Sequence, residues 1–311
     1  MLARGRLYFA AMNGLKRSVL GVHSILKLSL TAQTFTKRKP HVLDKELLCG
    51  CFPRTMSSVS TQFLDLGCGR KIAYKYREGD TKTPTVVYSP GIMQTMEDVK
   101  AVAVDNFCKE NGVNCIRYDY EGLGESSGSL DTAIFGQWIE DLQNIVDKIC
   151  KTPVLYVSFS MGGWISTVVA QRTPNKLHSL LYVSPGFNFL YLYYLIFYEK
   201  LTAEQKQALD DGKRIKFNDI FLRWDFAWES KRHHIDFEKP VPLNAPIRII
   251  HGMKDRNAPY SVTLEVASLF ESMDIDVYLR KSGGHNMDEP QDMALMLASL
   301  KNLVQDYPIE K

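Results

Sequence analysis

From residue 61 onward, short runs of β-branched and aromatic residues alternate with longer stretches of helical pattern, and this alternation constrains the fold most. Thr85–Ser89 (TVVYS), Asn114–Tyr118 (NCIRY) and residues 154–157 (VLYV), 180–183, 248–250 and 277–279 read as buried strands. Helical patterns cover about 97–110, 132–149 and 290–305. Strands and helices that alternate in this way form a sheet covered on both sides. The pattern therefore predicts an α/β fold, a mostly parallel twisted sheet with helices on both faces. Residues 62–65 and 71–76, separated by Gly67 and Gly69, predict an opening hairpin.

One stretch breaks the rhythm. Residues 186–243 hold an aromatic run, FNFLYLYYLIFY, then a polar helical segment, then Trp224, Phe226 and Trp228 at two-residue spacing. An excursion of this length between two core strands reads as a lid over the carboxyl edge of the sheet, its aromatics serving equally as the lid's own core.

Charge separates a leader from the body. Eight of the 38 Lys and Arg lie in residues 1–43, where there is no acid, which leaves 30 basic against 35 acidic residues for the remainder. No basic surface on the body points to a nucleic acid. The leader's apolar runs are broken by Lys16, Arg17 and Lys27, so it is too interrupted for a stable membrane span. It also lacks the core and cleavage site of a secretory signal. Residues 1–51 are expected to be a mitochondrial transit segment and 52–311 the folded domain. The six cysteines (Cys49, Cys51, Cys68, Cys108, Cys115, Cys150) lack zinc-ligand spacing and read as free thiols; no metal or cofactor is expected.

The chemistry is concentrated around Tyr156-Val-Ser-Phe-Ser-Met-Gly-Gly-Trp164, where an apolar run ends at a serine and turns helical. A serine held at such a strand-to-helix turn needs small residues two positions before and after it. For Ser158 the crowded position would be Tyr156, which does not fit; for Ser160 the flanking residues are Ser158 and Gly162. Ser160 is therefore the expected nucleophile, with a serine standing where this elbow usually has glycine.

A nucleophilic serine needs a base and an orienting acid. Asp255 follows the strand ending at Ile250, and His285 follows the strand ending near Leu279. The order Ser, Asp, His, each past a strand's carboxyl end, is that of the α/β-hydrolase fold. His251 reads as a satisfied structural residue, and His233 and His234 fall in the excursion. Asp288 and Glu289 are too near His285 in sequence to orient it. Backbone donors for an oxyanion are expected at Met161 N–H, on a helix N-terminus, and at Ile92 N–H, after the turn-forming Gly91.

Residues 61–305 resemble the abhydrolase serine hydrolases, and within them a mitochondrial group described as acyl-protein thioesterases and acyl-glucuronide esterases. The resemblance rests on Phe107-Cys-Lys, Cys115-Ile-Arg, Ser160-x-Gly-Gly-Trp164, Pro246-Ile-Arg, His251-Gly-Met-Lys-Asp255 and Leu279-Arg-Lys281. Tyr118-Asp-Tyr-Glu-Gly-Leu-Gly-Glu-Ser126 is similar to the Asp-x-x-Gly-x-Gly-x-Ser loop of this fold and reads as shaping a turn. The resemblance implies hydrolysis of S-palmitoyl thioesters on proteins and of small acyl esters, with Ser160, Asp255 and His285 as the triad. Ser158, Ile92 and the excursion depart from the family pattern. Another carboxylesterase, lipase or peptidase specificity, or a binding module on a retired hydrolase fold, would share most of these features.

Overall fold

The computed structural model describes residues 59–217 and 220–309; the leader, with Cys49 and Cys51, lies outside them. The chain opens with strands β1 (Gln62–Gly67) and β2 (Arg70–Arg77). Gly67, Cys68 and Gly69 all take positive φ in the turn between them, and the two strands pair antiparallel. Then follow β3 (Thr85–Ser89), helix α1 (Val99–Asn111), β4 (Asn114–Tyr118), α2 (Phe135–Lys148), β5 (Val154–Phe159), α3 (Met161–Arg172) and β6 (Leu177–Val183). The excursion contains α4 (Leu190–Tyr198), α5 (Ala203–Asp210), a small hairpin of β7 (Ile215–Phe217) and β8 (Ile220–Leu222), and α6 (Trp224–Ser230). The chain returns through β9 (Ile247–Gly252), α7 (Tyr260–Leu269), β10 (Ile275–Arg280) and α8 (Pro290–Gln305).

Eight strands form one sheet in the order β1-β2-β4-β3-β5-β6-β9-β10. β2 pairs antiparallel with β4, and all later neighbours are parallel. β5 sits mid-sheet, buried at every residue. Its alternation serves two cores. Val154 and Tyr156 pack with Trp138 of α2 and Ile165 of α3, whereas Leu155, Val157 and Phe159 pack with Val104 of α1 and Leu300 and Leu303 of α8. This is the α/β-hydrolase architecture expected from the sequence. The β6–β9 ladder pairs Leu180 with Ile247, Leu181 with Arg248, Tyr182 with Ile249 and Val183 with Ile250.

The loop after β4 is tied by Asp119. Its carboxylate accepts from Met96 N–H (2.7 Å) and Glu125 N–H (2.9 Å), and a side chain at Gly124 would collide with it. The excursion is fastened to the body by hydrogen bonds from Trp164 Nε1 to His233 O (2.7 Å) and from Gly136 N to Glu229 Oε2 (2.7 Å). Among the described residues no helix is long and apolar enough to cross a membrane, and no cluster of three His, Cys, Asp or Glu is arranged to hold a metal.

Candidate active site

Ser160 lies between β5 and α3 at φ 52° and ψ −120°, a conformation L-residues rarely take. The surroundings hold it there. Its N–H donates to Val183 O (3.1 Å), and its own carbonyl accepts from Gly163 N and Gly186 N (3.0 Å each). Any side chain at Gly162 would collide with the carbonyl oxygens of Ser89 and Pro90, and one at Gly163 with Pro185. The glycines therefore let α3 approach β3 and β6 closely enough to close the turn.

Ser158, where the elbow usually has glycine, is fully buried opposite Ser89 and Tyr182. Its hydroxyl donates to Ser166 Oγ (2.9 Å), which donates on to Gly163 O (3.1 Å). The extra hydroxymethyl thus faces the second turn of α3, away from Ser160. Ser158→Gly is expected to lower stability by about 1–2 kcal/mol, through the lost hydrogen bond and the glycine's added freedom. Thermal melting should record that loss while kcat/KM stays within about threefold. A large fall in kcat/KM with little change in melting would show that Ser158 shapes the nucleophile directly.

Asp255 and His285 come from the loops after β9 and β10. Gly252 brings those loops together, since a side chain there would strike the backbone of Gly283 and Gly284. Met253 N donates to Arg280 O and Lys254 N to Gly283 O, both at 2.9 Å. His285 Nε2 then stands 2.9 Å from Ser160 Oγ, and His285 Nδ1 2.7 Å from Asp255 Oδ2. The other carboxylate oxygen, Oδ1, accepts from Asn257 N (2.8 Å) and Ala258 N (2.9 Å). Burial alone would raise the Asp255 pKa, but hydrogen bonds from His251 and His285 and the backbone donors hold it well below the usual carboxylate range. An ionised carboxylate, an imidazole and a hydroxyl in line can move a proton from Ser160 Oγ to His285 Nε2.

The two expected oxyanion donors are also free to act. Neither Ile92 N–H nor Met161 N–H donates to another group among the described residues. Met161 begins α3, so its N–H carries the positive end of the helix dipole. Ile92 lines a cleft of about 340 Å³ together with Ser160 and His285. The excursion supplies much of the cleft's wall through Phe189, Tyr193, Phe197 and Ile220. Phe189, Tyr193 and Phe197 form an i, i+4, i+8 stripe of edge-to-face rings, with centroids 5.2 and 5.7 Å apart.

The other histidines are placed differently. His233 Nε2 pairs with Glu229 Oε1 (2.7 Å), and the His234 ring lies 5.6 Å from Trp164. Asp288 and Glu289 line a polar hollow that His285 also borders. His251, read from sequence as structural, reaches the Asp255 carboxylate at 3.1 Å. Gln94 was not singled out by sequence; its Oε1 accepts from Gly91 N (3.3 Å) and braces the turn before Ile92.

A family model described as serine aminopeptidase, S33 (Hydrolase_4) matches residues 81–208. The Mus musculus protein named palmitoyl-protein thioesterase ABHD10, mitochondrial, is 34% identical over 252 residues, which is 79% of this chain and 82% of that one. Its Homo sapiens namesake is 32% identical over 259 residues, 81% of this chain and 82% of that one. The solved structure of alpha/beta hydrolase domain-containing protein 10 from mouse matches with a TM-score of 0.69 at 31% identity, covering 78% of this chain and 98% of that chain.

Proposed function

Because the chain belongs to the α/β-hydrolase family, in the ABHD10 group of ester and thioester hydrolases, we propose that Ser160, His285 and Asp255 are its nucleophile, general base and orienting acid. The observation that carries this reading is the unbroken line from Ser160 Oγ through both His285 nitrogens to Asp255 Oδ2. Ser160 Oγ attacks the acyl carbonyl carbon as His285 Nε2 takes its proton. Asp255 stabilises the imidazolium, and Ile92 N–H and Met161 N–H receive the oxyanion. Collapse expels the thiol or alcohol with the proton from His285, leaving an ester on Ser160. A water then gives its proton to His285, attacks that ester and releases the carboxylic acid, and the proton returns to Ser160.

The substrates proposed are S-palmitoylated proteins, after the activity in the relatives' names, and small acyl esters; from an acyl glucuronide the sugar would leave as the alcohol by the same steps. The aromatic stripe of α4 would hold the acyl chain. The compartment is the mitochondrion, as in the relatives' names, and residues 1–51 would serve as the import segment of the 52–311 domain, with 186–243 as its lid.

The purified full-length protein is expected to hydrolyse an S-palmitoyl peptide thioester and a series of p-nitrophenyl acyl esters. Absence of turnover at every chain length would favour a binding module instead. Phe197→Ala removes part of the cleft wall, so kcat/KM for long acyl chains should fall about tenfold, the worth of one well-packed apolar contact of about 1–2 kcal/mol. Acetyl ester turnover should stay within about twofold. An equal loss at all chain lengths would show that the stripe does not hold the acyl group.

A further inference from the structure

The proposal concerns the carboxylate that orients the base and therefore rests on the triad reading above. Asp255 Oδ2 accepts from two histidines, His285 Nδ1 at 2.7 Å and His251 Nε2 at 3.1 Å. His251 lies on β9, one residue before its end, and has no exposed surface. Its Nε2 is also 2.8 Å from Ala258 O, and its Nδ1 is 2.9 Å from Thr263 Oγ1, on α7. A carbonyl oxygen can only accept, so Nε2 carries the hydrogen and shares it between Ala258 O and Asp255 Oδ2. In the neutral ring Nδ1 is then an acceptor, and the Thr263 hydroxyl donates to it. We propose that His251, held in the Nε2–H tautomer by Thr263 and Ala258, is a positioning residue that fixes the Asp255 carboxylate and tempers the basicity of His285.

The donors on Asp255 fix its geometry. Asp255 Oδ1 is filled by two backbone N–H groups, so the carboxylate cannot rotate without breaking both. Oδ2 would otherwise serve His285 alone, and its full charge would favour the imidazolium even before substrate binds. A second N–H on Oδ2 draws off part of that charge. Less charge then remains on Oδ2 for His285, and the ring stands ready to accept the Ser160 proton. The titratable groups around the pair are His251 from β9, Tyr193 from α4, whose phenol burial holds protonated well above neutral, and Asp288 and Glu289, which line the hollow that His285 borders. On the α1 side Lys100 Nζ lies 4.2 Å over the ring of Phe159, which separates it from His285; Asp98 and Asp288 act on that lysine.

The test compares pH profiles of kcat/KM for p-nitrophenyl octanoate with the full-length protein, its His251→Leu, His251→Gln and Thr263→Val variants, and His285→Ala. His251→Leu removes the second donor. The acidic limb should move up by about half to one pH unit, and kcat at neutral pH should fall about tenfold with KM little changed. His251→Gln places an amide N–H₂ near the Nε2 position and should bring the limb back towards wild type. Thr263→Val, close in shape, should move the limb the same way by less. If His251→Leu does not fold, the Thr263→Val profile decides. A limb that stays in place in the folded variants, against an inactive His285→Ala, overturns the role of His251 alone. Wild-type turnover by His285→Ala would overturn the triad, and this proposal with it.

Discussion

Ser160→Ala is expected to lower thioester and ester turnover by about a millionfold and to abolish covalent labelling by a fluorophosphonate. The size follows from what is lost. Without Oγ there is no acyl-enzyme, and only the oxyanion donors and the bound geometry remain to favour direct attack by water. The fold should hardly notice. The Ser160 hydroxyl makes no cap bond to α3, its partner is His285, and alanine meets the same backbone constraint at φ 52°. Thermal melting within about 1 kcal/mol of wild type would separate lost chemistry from lost structure. Labelling equal to wild type would place the reactive group elsewhere.

Asp255→Asn is expected to cost about 10⁴ in kcat, far more than its near-identical shape suggests. The carboxylate is an acceptor on both sides, towards Asn257 N and Ala258 N at Oδ1 and towards the two histidines at Oδ2. An amide must turn its N–H₂ to one side. Facing the backbone, it sets donor against two donors that cannot move. Facing the histidines, it forces His285 to accept at Nδ1 and carry its hydrogen on Nε2, the nitrogen that should take the Ser160 proton. The second arrangement keeps the backbone bonds and removes the base. Activity should then return in part at high pH, where hydroxide can assist the serine, and a flat loss across pH would argue against the wrong-tautomer account.

The fold was legible where burial is complete. β3, β4 and β5 are buried at every position, so each shows a short β-branched and aromatic run, even though β4 also buries Asn114 and Arg117. β10 at the sheet edge has no buried residue and appeared only as a fragment. The β7–β8 hairpin has three-residue strands, too short to show a period. α7 escaped as well, because few of its side chains are buried and no strong stripe marks it. At the site, the choice of Ser160 over Ser158 rests on steric reasoning, since the crowding at Gly162 is a property of any such turn. The line of contacts from Ser160 to Asp255 followed the order of strand ends. His251 was not legible as a partner of Asp255. Its spacing of four residues means little unless the strand is known to end between them, and its hydrogen-bond direction depends on Ala258 and Thr263, which carry no signature of their own.

The β6–β9 ladder has a consequence for tolerance. Ser160 belongs to the half of the sheet before this ladder, and Asp255 and His285 follow it in the chain. Their alignment is therefore a matter of strand register. A slip of one residue between β6 and β9 displaces one half along the other by about 3.3 Å and turns every side chain to the opposite face. That displacement exceeds the whole 2.9 Å between His285 Nε2 and Ser160 Oγ. With the proposed triad, catalysis on this scaffold is a digital readout of pairing along Leu180 to Val183: the correct register brings the base to Ser160, and the next one does not.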